Sequence, residues 1–183
     1  MLNKILILSL ILFFITPVDA YARDRIPNHL RSLFESTDMN VLGISDVTIF
    51  YENFSAVSDE RVETAQDIII NLKEHLNYDS VPHCQNLSVK MFLLDYNTIN
   101  DRDVMHFLTW SDWGNINIWG AYDSFHNQST AELYINMGVA ETRFIKTIAH
   151  EFYHHFQDLT CGEEDEQAAV RFADEFCDIF DEC

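Results

Sequence analysis

Residues 140–159 read AETRFIKTIAHEFYHHFQDL, and a helical wheel at about 100° per residue divides them into two faces. Ile145, Ile148, Ala149, Phe152, Phe156 and Leu159 fall within about 60° of Phe152, so the stretch carries one apolar stripe and is predicted to be an amphipathic helix lying on a core. His150 and His154 lie about 160° to either side of Phe152, and Arg143, Thr147 and Gln157 share their side. Two imidazoles one turn apart on one face can grip a single metal ion, with Glu151 projecting beside it. The spacing is that of HExxH, in which the histidines take Zn²⁺ and the glutamate is the general base of a hydrolytic reaction. Since both histidines point away from the stripe, the metal is expected in a cleft that water and substrate can enter. His155, about 60° from Phe152, is expected at the margin of the core as a structural histidine.

A catalytic zinc normally takes three protein ligands and keeps one position open. No histidine follows His155, so carboxylates are the remaining candidates. Residues 163–180 read as a second helix with a stripe of Ala169, Ala173, Phe176 and Phe180, flanked by Val170 and Cys177. Glu166 lies about 20° from Ala173, near the middle of that face; Asp165 and Glu163 are about 80° off, Asp174 about 100° and Glu164 about 180°. A carboxylate on a buried face needs a cation or a hydrogen-bond donor, and a metal on the neighbouring helix supplies one. The expected site is therefore His150, His154 and Glu166 around Zn²⁺, with Glu151 as proton carrier. A donor for the developing oxyanion is also required; Arg143, Gln157, Tyr134, Tyr122 and His126 are candidates among which the sequence does not choose.

With HExxH on one helix and a glutamate on the next, the segment from Ala131 to Phe180 resembles the small zincin metallopeptidases of the gluzincin kind. The resemblance implies an α+β, single-domain zincin-like fold with a mixed or antiparallel sheet, the motif helix and a following C-terminal helix. It also implies a peptide or protein substrate, whose backbone pairs with the strand before the motif helix; Ala131–Met137 fits that strand. The metzincin pattern is departed from, because Thr160 stands where its third histidine belongs and Gln157 replaces its glycine. Glu166, Ala169, Phe172 and Ala173 also resemble the ExxAxxFA helix of short bacterial peptidases that cut regulatory proteins. In thermolysin-like enzymes the third ligand falls farther along, about where Asp174 stands, which makes Asp174 the second candidate. A non-catalytic zincin-like metal-binding or interaction protein is the alternative, although metal binding alone does not call for Glu151. An exported structural or inhibitory protein with an accidental motif would bind no metal.

The front of the chain carries Lys4, an apolar run from Ile5 to Ile15, Pro17 and an Ala20-Tyr21-Ala22 ending. This reads as a signal peptide over residues 1–22, leaving 23–183 as one metallopeptidase-like domain that is secreted or periplasmic. No later run is long enough to span a bilayer, so no stable membrane association is expected once the signal is cleaved. Export makes disulfides the expected state of Cys84, Cys161, Cys177 and Cys183. A helix over 163–180 sets Cys161 roughly 24 Å from Cys177 and similarly far from Cys183, beyond the ~7 Å limit for a disulfide. The expected pairs are Cys84 with Cys161 and Cys177 with Cys183. Asp and Glu number 30 against 11 Lys and Arg, for a net charge of -19; such a surface repels nucleic acid and anionic lipid.

Elsewhere the pattern predicts a short helix over Pro27–Phe34, a strand over Val47–Tyr51 and an amphipathic helix over Ser58–Asn77 with Ser58 as N-cap. A loop follows around Pro82, then strands over Leu87–Leu94, Asn115–Trp119 and Ala131–Met137. The last is expected to be half-exposed, since apolar residues alternate with Glu132, Tyr134 and Asn136. Trp110 and Trp113 are read as aromatic core, with the lining of a substrate groove as the alternative.

Overall fold

Val47–Tyr51 consists entirely of β-branched and aromatic residues, and it forms a parallel pair with Ser88–Leu94, a mostly apolar strand that carries Val89 and Phe92; an intervening helix joins the two. The computed structural model describes residues 39–51, 56–85, 87–94, 120–124, 129–163, 165–180 and 183. In chain order its elements are β1 (Asn40–Ile44), β2 (Val47–Tyr51), α1 (Ala56–His75), a 3₁₀ turn (Tyr78–Ser80), β3 (Ser88–Leu94), β4 (Gly120–Ser124), β5 (Thr130–Asn136), α2 (Glu141–Leu159) and α3 (Glu166–Ile179). The expected signal peptide, the helix over Pro27–Phe34, the strand over Asn115–Trp119 and both Trp110 and Trp113 lie outside the described residues. Among those described, no helix is long and apolar enough to cross a membrane.

Among the described residues the sheet has five strands, in the order β1-β2-β3-β5-β4. Its centre, β2-β3-β5, is parallel, and each end closes with an antiparallel strand, so the fold is α+β with a mixed sheet. β1 and β2 form a hairpin through a two-residue turn, Ser45–Asp46, in which Ser45 takes the left-handed φ of 56°. β1 and β4 were not anticipated. GAYDS, the sequence of β4, has only Tyr122 as a strand former, and its pairing with β5 is what holds it extended.

One face of the sheet carries the core. Val47 and Ile49 of β2, Val89, Met91 and Leu93 of β3, and Leu133 and Ile135 of β5 meet the apolar stripes of the helices there. α1 contributes Val62, Ala65, Ile68, Ile69 and Leu72, all buried; fully burying each large aliphatic side chain is worth roughly 1.5–3 kcal/mol. The helix begins at Ala56, so Ser58 stands inside its first turn and not at the expected cap position. α2 adds Phe144, Ile145, Ile148, Ala149, Phe152 and Leu159, and α3 adds Ala173 and Phe176.

β5 departs from expectation. Glu132, Tyr134 and Asn136 are buried like their apolar neighbours, on the face away from the helices. The Tyr134 hydroxyl donates to Glu132 at 2.7 Å, and the rings of Phe50, Phe92 and Tyr134 stack across three strands with centroids 5.0 Å apart. Polar residues at every second position were read as a wet face; here Tyr134 and Glu132 bond to each other and Asn136 Oδ1 accepts the Gly138 N–H inside a buried one. β5 also lies between β3 and β4, so the strand beside the motif helix at the end of the sheet is β4, not the Ala131–Met137 strand that the zincin resemblance implied.

Candidate metal centre

Both helices of the expected site form, and the turn between them decides the geometry. α2 starts after Ala140, with Glu141 in its first turn where a negative charge favours the helix N-terminus. It stops at Thr160 because Cys161 adopts φ 54°. The Gly162 N–H then donates to the Gln157 carbonyl at 2.7 Å and the Cys161 N–H to the Asp158 carbonyl at 3.1 Å, which is the double closure of a Schellman motif. Left-handed backbone costs a residue with a Cβ about 1 kcal/mol. Cys161 is held there by its disulfide to Cys84, with Cα atoms 5.9 Å apart, while the Cys84 N–H donates to the Leu159 carbonyl at 2.9 Å. The second disulfide joins Cys177 to Cys183. Both pairs are those expected from helix geometry.

The reversed chain re-enters a helix at once. Asp165 caps α3 by accepting from the Ala168 N–H at 3.0 Å, so the first residue of α3 is Glu166 and not Glu163 as expected. Glu166 is 69% exposed and lies off the buried face to which the wheel assigned it. Its carboxylate nevertheless reaches the histidines: Oε1 is 3.2 Å from His150 Nε2 and Oε2 is 3.1 Å from His154 Nε2. The two Nε2 atoms are themselves 3.2 Å apart. Zinc with four ligands at about 2.0–2.1 Å spaces its ligand atoms about 3.3 Å from one another, so the residues fit such an ion. One ligand atom from each of the three residues can be chosen with all of them within 4.8 Å of one another. Asp174 is elsewhere, paired with Lys146 Nζ at 2.7 Å on the exposed side of α3.

Electrostatics fit a site that wants a cation at its centre. The His150 and His154 imidazoles, each with Nε2 at hydrogen-bond distance, hold the Glu166 carboxyl well below the usual carboxylate range and outweigh the partial loss of water around a side chain that is still mostly exposed. Burial works to lower the pKa of His150, but the Glu166 hydrogen bond and the charges of Glu151 and Glu166 outweigh it and hold His150 above its ordinary value. Two imidazole nitrogens and a carboxylate facing each other at 3.1–3.2 Å repel unless a proton or a metal ion lies among them.

The cleft is narrower than the wheel implied, because β4 lies over the polar face of α2. The side chain of His154 is only 8% exposed; the Tyr122 ring lies nearly parallel to it at 6.3 Å, and the Tyr122 hydroxyl donates to Asp158 Oδ2 at 2.8 Å. Glu151 is buried against the bare backbone of Gly120, where an added Cβ would come within 2.5 Å of Thr147 Cγ2 and 3.0 Å of Glu151 Oε1. His154 Nδ1 meets Gln157 Oε1 at 3.1 Å. Of the candidate oxyanion donors, Tyr134 faces the opposite side of the sheet, Gln157 and Tyr122 are engaged with His154 and Asp158, and His126 lies outside the described residues. Gly120 carried no signal in the sequence, since only the pairing of β4 with β5 brings it over the motif helix.

His155 is completely buried, deeper than the core margin expected for it. Its Nε2 meets the Tyr78 hydroxyl at 2.8 Å, and that hydroxyl donates to Asp46 Oδ2 at 2.9 Å, which also takes Lys73 Nζ on Oδ1 at 2.6 Å. The motif helix is thus pinned to the β1–β2 turn and the 3₁₀ turn through polar bonds behind the site. Comparison with protein-family models, with curated proteins and with solved structures found no match for this chain, which leaves its chemistry to be argued from these side chains.

Proposed function

We propose that this chain is an exported, zinc-dependent hydrolase of peptide bonds, acting on a peptide or protein substrate. The observation that carries the reading is the convergence of His150, His154 and Glu166 at ligand spacing, with Glu151 buried one residue along the same helix. Held by those three residues, zinc would supply a Lewis acid for the scissile carbonyl and would make water acidic enough to be deprotonated near neutral pH. A Glu151 carboxylate oxygen accepts the proton from the attacking water and returns it to the leaving amine. Thr147 and the bare backbone of Gly120 bound the space in which Glu151 sits, which keeps its carboxylate out of bulk water. β4 is the last strand of the sheet among the described residues, and an extended substrate backbone is assigned to its side of the cleft. The proton that His150, His154 and Glu166 otherwise share would have to leave for these residues to hold zinc, so binding would release protons and weaken as pH falls.

Metal analysis and a peptide-library assay test this together. Wild type is expected to carry about one zinc per chain, lost in His150→Ala/His154→Ala and much weakened in Glu166→Ala but not in Asp174→Ala. Glu151→Gln is expected to keep the zinc and lose at least ~10² in turnover. Equal zinc in wild type and the double histidine variant would end the zinc reading. Zinc binding without any peptide cleavage by wild type would favour the non-catalytic metal-binding alternative.

A further inference from the structure

We propose that Gln157 is a positioning residue that selects the tautomer of His154 and aims its Nε2 at the metal. An imidazole has two nitrogens, and in the neutral ring one carries the proton while the other offers a lone pair. Which one is free is set by the partner of the other. Gln157 lies one helical turn after His154 and is buried, with Oε1 3.1 Å from His154 Nδ1. An amide oxygen only accepts, so it favours the proton on Nδ1 and leaves the Nε2 lone pair to accept from His150 Nε2–H, 3.2 Å away, with the Glu166 carboxylate at 3.1 Å as the competing acceptor that Gln157 has to outweigh when no metal is bound. The Tyr122 ring against one face of the imidazole fixes its plane, and the amide fixes its sense within that plane.

The position of Gln157 is itself built by the fold. Its carbonyl accepts the Gly162 N–H at 2.7 Å and the Thr160 hydroxyl at 3.2 Å, so the turn that reverses the chain toward Glu166 also anchors the residue orienting His154. Among the described residues His150 has no partner of this kind. The Gln157 acceptor falls on the more buried ring, where a wrong tautomer has no water to correct it.

This inference rests on the cluster being a zinc site, and two measurements keep the two ideas apart. Nitrogen NMR of the full-length, chelator-treated protein, above the titration range of its imidazoles, reads the tautomer without metal. His154 is expected as the Nδ1–H form in wild type and in Gln157→Glu, whose carboxylate also accepts, and as a mixture or the Nε2–H form in Gln157→Leu. Competition with a chromophoric chelator reads zinc affinity. Gln157→Leu is expected to weaken it by about 10- to 100-fold, with Gln157→Glu staying within a few-fold of wild type. An unchanged tautomer in Gln157→Leu overturns the proposal, as does zinc affinity that falls equally in both variants. If wild type takes up no zinc, the metal reading fails, and the tautomer shift still decides the role of Gln157.

Discussion

Acid is expected to destabilise this protein through His155, by about 3 kcal/mol between neutral pH and pH 4. The Tyr78 hydroxyl donates to Asp46, so its oxygen accepts from His155 Nε2–H. The other ring nitrogen, Nδ1, is buried with no hydrogen-bond partner. A second proton would put an N–H with no acceptor into the core, and burial therefore pushes the His155 pKa down from 6.5 to about 4. In the unfolded chain the ring takes its proton at the ordinary value. Between those two values the unfolded state binds more protons than the folded one, so stability is fully present above pH 6.5, falls as the pH drops through this window, and levels off below about 4. Urea unfolding followed by circular dichroism at several pH values reads the slope, with a chelator present so that metal binding does not contribute. His155→Gln is expected to be less stable at neutral pH but to show a much flatter dependence across the same range. Parallel curves for wild type and His155→Gln would refute the reasoning, because the lost stability would then belong to other groups.

Removing Cys84–Cys161 by serine substitution is expected to cost about 2 kcal/mol more than removing Cys177–Cys183 on the chain-entropy account, since the bonds span 77 and 6 residues; paired thermal or urea melts compare them. Gly120→Ala is expected to lower both the melting temperature and peptide turnover, because its Cβ would meet Thr147 Cγ2 at 2.5 Å. Adding Thr147→Ser should recover melting temperature more than turnover, as the 3.0 Å contact with the Glu151 carboxylate remains. A Gly120→Ala variant as stable and active as wild type would show that β4 does not press on the motif helix.

Legibility from the sequence followed the reach of the interactions involved. α1 and α2 announce themselves because a stripe such as Ile145, Ile148, Phe152 and Phe156 needs only its own periodicity and a core to lie on. The parallel centre of the sheet was legible as strands but not as an order, since Val47–Tyr51 meets Ser88–Leu94 across a crossover that leaves no local mark. β4 was illegible for the same reason, and with it Gly120; Tyr122 had been named as a candidate oxyanion donor, but not as the ring that closes the cleft over His154. Glu166 was found for a reason that holds only in part. The wheel placed it on the buried face, yet the helix begins at that residue, and there the stripe has already run past the core to the opening where the histidines stand. His154 and Gln157 were visible as residues sharing a side of α2, but their hydrogen bond depends on side-chain geometry that a wheel does not hold.

The turn at Cys161 has a consequence for the order in which the molecule assembles. Only 12 residues separate His154 from Glu166, whereas β2 must find a partner strand whose paired residues, such as Val47 and Val89, are far apart in the chain. Loop-closure entropy grows with the length enclosed, and contacts between distant segments slow folding. The helical hairpin that carries the ligands is thus a short-range object, able to close while the parallel strands are still searching for register. On the zinc reading, an ion captured at that stage would lock α2 and α3 together ahead of the sheet. Zinc retained by a damaged or newly made chain would then report the hairpin alone, and β4, with the cleft it completes, could still be missing.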